Sequence, residues 1–405
     1  MRLPLLIALA VILGPVARAQ DAVHPPPDYT QELGAPADGQ FRKSATWEGV
    51  EETYLPSLFP SSHAASLLRL KSGDIVCTWS SGTWEGATNV GILFALLPFE
   101  GKQWDAPQSV AQRVGVSYQN PVPFEAPDGR IWVFHTSQEA SQTQADAQVF
   151  VTLSTDQGGS WGYPSLIFDT PGSFVRQPLL ILPDGRWLLP MSMTPTEGIT
   201  KGAEAHYPLL KVSPDAGHSW SDIKFPQSNG LVEPSVLRLT NGKFLAFFRS
   251  RYADFIYEST SDDGTVWTAP HPTALPNNNS SIQAMQLENG HLVIAFNNTG
   301  SAEGSKVPKI GPRRPLSVAL SDDQGAHWRW VRDLEPGHPG EAGQADWSAT
   351  DKPGAEEYSY PSLLQGWDAK IYVAYTYRRY TIKVVRFAEA WIKQGGSIGT
   401  YHGEN

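Results

Sequence analysis

Short apolar runs rich in β-branched and aromatic residues recur along the chain, among them 131–134, 244–248 and 371–375, and these suit strands. Each run follows a tight polar turn, and each turn follows another apolar run. The turns fall at Ser72-Gly73, Asp128-Gly129, Asp184-Gly185, Asn241-Gly242, Asn289-Gly290 and, in degenerate form, Asp368-Ala369. Six turns predict six strand–turn–strand units, with 56, 56, 57 and 48 residues between the first five turn glycines and 79 from Gly290 to Ala369. No long helical period interrupts them.

A second repeat interleaves with the first. The spacing Ser/Thr-x-Asp-x-Gly-x-x-Trp occurs at Ser154 to Trp161, Ser213 to Trp220, Thr260 to Trp267 and Ser321 to Trp328, and Gly101 with Trp104 is a weakened earlier copy. Asp and Ser/Thr side chains bond nearby backbone amides, glycine takes the positive φ, and tryptophan packs the turn onto its sheet. The two repeats together predict an all-β chain of six four-stranded blades around a central axis, a six-bladed β-propeller. Its longest loops are expected at about 298–312 and 335–356.

The amino terminus carries a different pattern. Met1 and Arg2 precede an apolar run from Leu3 to Val16, and Ala17 and Ala19 place small residues where a signal peptidase cuts. Residues 1–19 are therefore expected to be a signal peptide, 20–50 an N-terminal extension, 51–390 the propeller and 391–405 a tail. The run is shorter than the roughly 20 residues a bilayer core requires, so the expected product is secreted or periplasmic, with no membrane attachment after cleavage.

Chemistry narrows the function classes. The formal charge of −10 repels nucleic acid at long range. Cys77, the single cysteine, sits in an apolar stretch, which predicts a buried inert thiol and no disulfide. Neither a Cys/His cluster nor His-Glu-x-x-His occurs, so no metal or cofactor is expected.

In a propeller, residues just before each strand–turn unit converge on the axis. Counting nine residues back from each turn glycine, or from Ala369, gives Ala64, Asn120, Arg176, Glu233, Ser281 and Tyr360. Polar groups recurring in register there favour a binding site.

These turns and strand pairs, six times over, resemble the sialidase (neuraminidase) superfamily from about Tyr54 to Phe387. The resemblance implies a sialidase-type propeller and a retaining exo-glycosidase acting on a glycan, in the expected case an acidic sugar. It implies a tyrosine nucleophile assisted by a glutamate, for which Tyr360 and Glu233 stand in similar registers; strand alternation leaves Tyr358 as the competitor for Tyr360. Arg249 and Arg314 resemble two members of the family's carboxylate-binding arginine triad, with Arg251 and Arg313 as close competitors. Arg249 and Arg314 correspond to the second and third members; the first is missing, because His63 and two alanines stand where sialidases carry Arg-Ile-Pro, and Arg176 is the candidate to reach the ligand from another blade. Glu85 matches the acid/base, which sialidases normally supply as aspartate, and would need burial to raise its pKa. Beside it, Trp84 offers a stacking face for a sugar ring.

Two other readings remain open on the residues alone. A propeller lyase or glycosidase acting on uronate or deoxysugar glycans would use His63 as acid/base, and explains the lost arginine. A non-catalytic carbohydrate-binding propeller would use the same ring only for recognition.

Overall fold

The computed structural model describes residues 27–139, 144–195, 202–300, 311–336, 353–354 and 356–399. The expected signal peptide and most of both long loops lie outside them. Six antiparallel sheets follow one another along the chain, each a meander running from the axis outward. Their innermost strands are Ser61–Arg69, Val116–Glu125, Ser173–Val175 continued by Leu180–Ile181, Leu231–Arg238, Gln283–Gln286 and Tyr358–Gln365. Inner strands of adjacent blades lie against one another, the sixth against the first, except that blade 4's inner strand meets the second strand of blade 3, Trp187–Met193. The chain is a six-bladed β-propeller.

Closure of the ring corrects the expected domain boundaries. Blade 6 supplies Tyr358–Gln365, Ile371–Tyr377 and Thr381–Phe387 and then runs out of chain. Its fourth strand is Val50–Tyr54, which pairs with Thr381–Phe387 and so joins the amino-terminal side to the carboxyl-terminal blade. The region before residue 51 is part of the fold: Arg42–Lys43 extends this sheet, and the amide of Phe41 donates to the Lys102 carbonyl in blade 1. The expected tail starts inside the helix Glu389–Ile392, which buries Trp391 and Ile392 against the interface of blades 5 and 6.

The apolar core is split into six clusters, each between two adjacent blades. This follows from blade geometry, since a twisted four-stranded sheet has two faces and both are covered only by its neighbours. The repeat tryptophans seal these seams. Trp104, Trp161, Trp220, Trp267 and Trp328 each belong to or pack on the cluster shared with the preceding blade. The turn chemistry is as read at Ser154/Asp156, Ser213/Asp215 and Ser321/Asp323, where the serine hydroxyl accepts from the glycine amide four residues on. Blade 4 differs. There Ser261 and Asp263 bind the turn, not Thr260 and Asp262, because the hydroxyl reaches Gly264 from three residues away. Cys77 is wholly buried, and burial pushes its thiol far up from the ordinary range.

Candidate active site

Four inner strands share one local irregularity. Pairing with the second strand skips two residues after His63, Gln119, Val232 and Ser359, so each strand carries a β-bulge at its start. The first bulged residues are Ala64, Asn120, Glu233 and Tyr360, all left-handed at φ 58°, 51°, 52° and 53°. A bulge bends its strand and re-aims the side chain. Neighbouring blades hold the bulges in place: the amides of Ala64, Asn120 and Glu233 donate to the hydroxyls of Thr376, Ser80 and Ser192. These acceptors occupy one register, seven residues after each turn glycine or Ala369. In blade 4 that register holds Arg249.

Glu233, Asn120 and Tyr360 line one cavity of about 300 Å³, together with Glu85, Gln119, Gln138, Gln144, Phe174, Val232, Arg249, Arg251 and Arg313. Carboxamides from blade 2 form one wall. Guanidinium groups from blade 4 and from the segment entering blade 5's third strand form the other.

Arg249 organises the second wall. Its Nη1 donates to Glu233 Oε1 at 2.7 Å and to Tyr360 Oη at 2.8 Å, while its Nε donates to Asn279 Oδ1 at 2.9 Å. Burial alone would raise the Glu233 pKa, but Arg249, the Ser281 hydroxyl, Arg176 and Arg251 outweigh it and hold the carboxyl below its ordinary value. Glu233 is thus an anion at neutral pH, and its second oxygen, Oε2, is buried without a hydrogen bond. Tyr358 does not compete for this place. The bulge at Tyr360 breaks the alternation that would have put both phenols on one side, and Tyr358 packs its ring 5.2 Å from that of Tyr377.

Two expected ligand residues, Arg176 and Arg314, lie outside the cavity, and the expected acid/base, Glu85, lies in it with less burial than expected. Arg176 is buried under the cavity rather than lining it. Its guanidinium donates to the carbonyls of Ala65, Tyr360 and Pro361 and to the Ser281 hydroxyl, so its capacity is spent on the starts of inner strands. Arg314 pairs with Glu356 outside the cavity, and Arg313 lines it instead, with its guanidinium carbon 5.3 Å from the Tyr360 ring centre. Glu85 does line the cavity, but it lacks the expected burial: its side chain is 28% exposed and accepts from Arg379 Nη1 at 2.6 Å.

His63 lies beside the cavity under Tyr360, with ring centres 4.2 Å apart. Its Nδ1 is 2.8 Å from Thr376 Oγ1, and its Nε2 is 3.9 Å from Glu85. Burial first, then Arg379, Arg313, Arg176 and Arg249, push its pKa well below 6.5, so the ring is neutral. A neutral imidazole is a base or a hydrogen-bond donor rather than a cationic acid. With Trp84, whose indole is half exposed, His63 lines a small recess that Glu85 and Asn120 join to the main cavity.

Two groups escaped the reading of the sequence. Glu357, almost wholly buried, accepts from Arg313 Nη1 at 2.6 Å and from the Ser359 hydroxyl, and its Oε2 lies 3.0 Å from Arg379 Nε. Arg379, fully buried in the turn between Ile371–Tyr377 and Thr381–Phe387, the second and third strands of blade 6, links Glu357 to Glu85. Among the described residues no cluster of His, Cys, Asp or Glu suited to a metal occurs.

Residues 73–373 match the family model described as BNR repeat-like domain. The chain belongs to the BNR repeat-like family. Solved sialidases share the BNR chain's fold. Hadza microbial sialidase Hz136 aligns at TM-score 0.65 and 15% identity over 83% of this chain and 67% of its own. The NanB sialidase of Streptococcus pneumoniae gives 0.62 and 11% over 89% and 73%. The intramolecular trans-sialidase of Ruminococcus gnavus gives 0.63 and 13% over 90% and 100%. No curated protein sequence matches.

Proposed function

We propose that this BNR-repeat propeller is a sialidase-like retaining glycoside hydrolase that removes a terminal sugar from a glycan, with Tyr360 as nucleophile. The observation that carries this reading is the chain of contacts from Glu233 through Arg249 Nη1 to Tyr360 Oη at the wall of the cavity. A phenol attacks poorly unless its proton has somewhere to go and its developing charge is stabilised. Arg249 donates to the oxygen where charge develops, and the unoccupied Oε2 of Glu233 is an acceptor for the proton. In the first step the Tyr360 oxygen bonds the anomeric carbon, the glycosidic bond breaks, and the leaving oxygen takes a proton. In the second, water displaces the tyrosine and the phenol is restored. Glu85, the other carboxylate lining the cavity among the described residues, is partly exposed and paired with Arg379 in the empty site, and it is assigned the proton transfers to the leaving group and from water once a bound sugar covers it and raises its pKa. A signal peptide over residues 1–19, as expected from the sequence, would place that substrate outside the cytoplasm.

The test is turnover of a fluorogenic α-sialoside and of a panel of aryl uronides. Tyr360→Phe should lose activity by at least ~10³-fold with an unchanged melting temperature. An active, folded Tyr360→Phe would remove this mechanism. New absorbance from an unsaturated uronate, with no hydrolysis, would replace it with a lyase.

A further inference from the structure

Arg176 enters the propeller axis from blade 3, one residue past the strand Ser173–Val175, and donates to three other blades. Its Nη1 reaches the Ala65 carbonyl at 2.9 Å, its Nη2 the Tyr360 and Pro361 carbonyls at 2.9 and 3.1 Å, and its Nε the Ser281 hydroxyl at 3.2 Å. The three carbonyls belong to bulges. Ala65 lies in the skip between His63 and Ser66, and Tyr360 and Pro361 lie in the skip between Ser359 and Ser362, outside the regular ladder. At Ala64, Asn120 and Glu233 a hydroxyl of the neighbouring blade secures the bulge amide. For Tyr360 the neighbouring blade carries Asn297 in that register instead, and its Nδ2 donates to the carbonyls of Pro315 and Tyr358.

Guanidinium groups only donate, so the Ser281 oxygen accepts from Arg176 and keeps its own proton for another acceptor. The Ser281 hydroxyl acts on Glu233 beside Arg249, Arg176 and Arg251, the groups that hold that carboxyl as an anion against burial. Burial works against the charge on Arg176, and Glu233 and Tyr360 favour that charge from beyond hydrogen-bond contact. A buried cation so held is a destabilising way to fill an axis, and an apolar side chain of similar volume fills it without that penalty. We propose that Arg176 is a positioning residue for the nucleophile pair: from across the axis it fixes the main chain of Tyr360 and directs the Ser281 hydroxyl at Glu233. This rests on the roles given above to Tyr360 and Glu233, and assigns Arg176 no contact with substrate. The Tyr360 oxygen has to keep its place 2.8 Å from Arg249 while it meets the anomeric carbon, and its main chain is left-handed at φ 53°. A misplacement of about 1 Å at such a group lowers the rate by ~10²-fold.

The experiment reads the carboxylate and the turnover separately. Glutamate carboxyl carbons are followed by NMR as pH falls, and the Glu233 signal is identified by its loss in Glu233→Gln. In Arg176→Met and in Ser281→Ala the Glu233 midpoint should rise by about one pH unit, a tenfold gain in proton affinity, while Glu357, held by Arg313 and Arg379, stays in place. On the glycoside that the parent hydrolyses, Arg176→Met should lower kcat ~10²-fold with KM within about threefold. Ser281→Ala should lower kcat less, because the Tyr360 carbonyl keeps its donor, and Arg176→Lys, which keeps the charge but not the fork, should recover part of the loss. A folded Arg176→Met with kcat within about threefold of the parent, or with the Glu233 midpoint unmoved, overturns the assignment and leaves Arg176 as filling for the axis. Should Arg176→Met not fold, Arg176→Lys and Ser281→Ala read the same two quantities, and parent values in either quantity for both variants overturn it equally. If the parent hydrolyses no glycoside, the catalytic reading fails on its own, and the Glu233 midpoint still decides whether Arg176 acts on that carboxylate.

Discussion

Tyr360 receives its hydrogen bond from Arg249, 2.8 Å away, and the same nitrogen reaches Glu233. The glutamate therefore acts on the phenol across a guanidinium. Arg249→Lys keeps a charge but loses the fork that spans two acceptors and Asn279. It should lower kcat by ~10²-fold or more, with a smaller change in KM, as expected when a group stabilises charge that develops only during attack. Steady-state kinetics of the folded variant decide this; an unchanged kcat would return the glutamate to direct contact with the tyrosine.

The nine-residue register located Asn120, Glu233 and Tyr360 because each bulge sits at a fixed distance from its own turn, and turns are legible in sequence. The same count misjudged Arg176. Polarity at the axis was read as ligand-facing, and nothing in the residue type reveals that three carbonyls of other strands absorb it. Arg313 and Arg314 were indistinguishable because both precede the strand Leu316–Ser321, and register fails outside the ladder. Glu357 and Arg379 had no such signal. One precedes an inner strand and the other sits in a hairpin turn, and only closure of the ring brings them to Glu85.

Acid should unfold this protein by way of its histidines. His63 is held well below 6.5, His135 down to about 3 and His206 down to about 4, in each case mainly by burial. The unfolded chain binds protons near pH 6.5 that the folded chain refuses. Their contribution is complete above that pH and is lost as pH falls toward the folded values. Counting His135 alone, stability should fall by about 1.4 kcal/mol per pH unit between roughly pH 6 and 4, and His63 steepens the fall. Denaturant titrations across that range measure the slope, and His135→Phe should reduce it by about 1.4 kcal/mol per pH unit. A slope that His135→Phe leaves unaltered contradicts the assignment.

The displaced turn of blade 4 separates two adjacent aspartates. Asp263 accepts from the amides of Thr265 and Val266 and from the Thr265 hydroxyl, whereas Asp262 is exposed and reaches only Lys243. Asp263→Ala should cost about 1 kcal/mol and Asp262→Ala close to nothing. Urea midpoints compare them, and a reversed order would restore the frame read from the sequence.

Glu85 separates hydrolysis from mere recognition. Its Oε2 is 2.6 Å from Arg379 Nη1 and 3.9 Å from His63 Nε2, and its side chain remains partly open to the cavity. A residue that protonates the leaving oxygen matters most when that oxygen is a poor leaving group, and matters little when the aglycone departs unaided as a nitrophenolate. Glu85→Gln preserves shape and can still bond Arg379. It should lower kcat/KM about 10²- to 10⁴-fold on a natural glycoside and far less on the activated aryl glycoside. Equal losses on both substrates would assign Glu85 to holding Arg379, and through it Glu357, rather than to moving a proton. The acid would then have to be another group, and the loop carrying Trp84 would be left with a binding role.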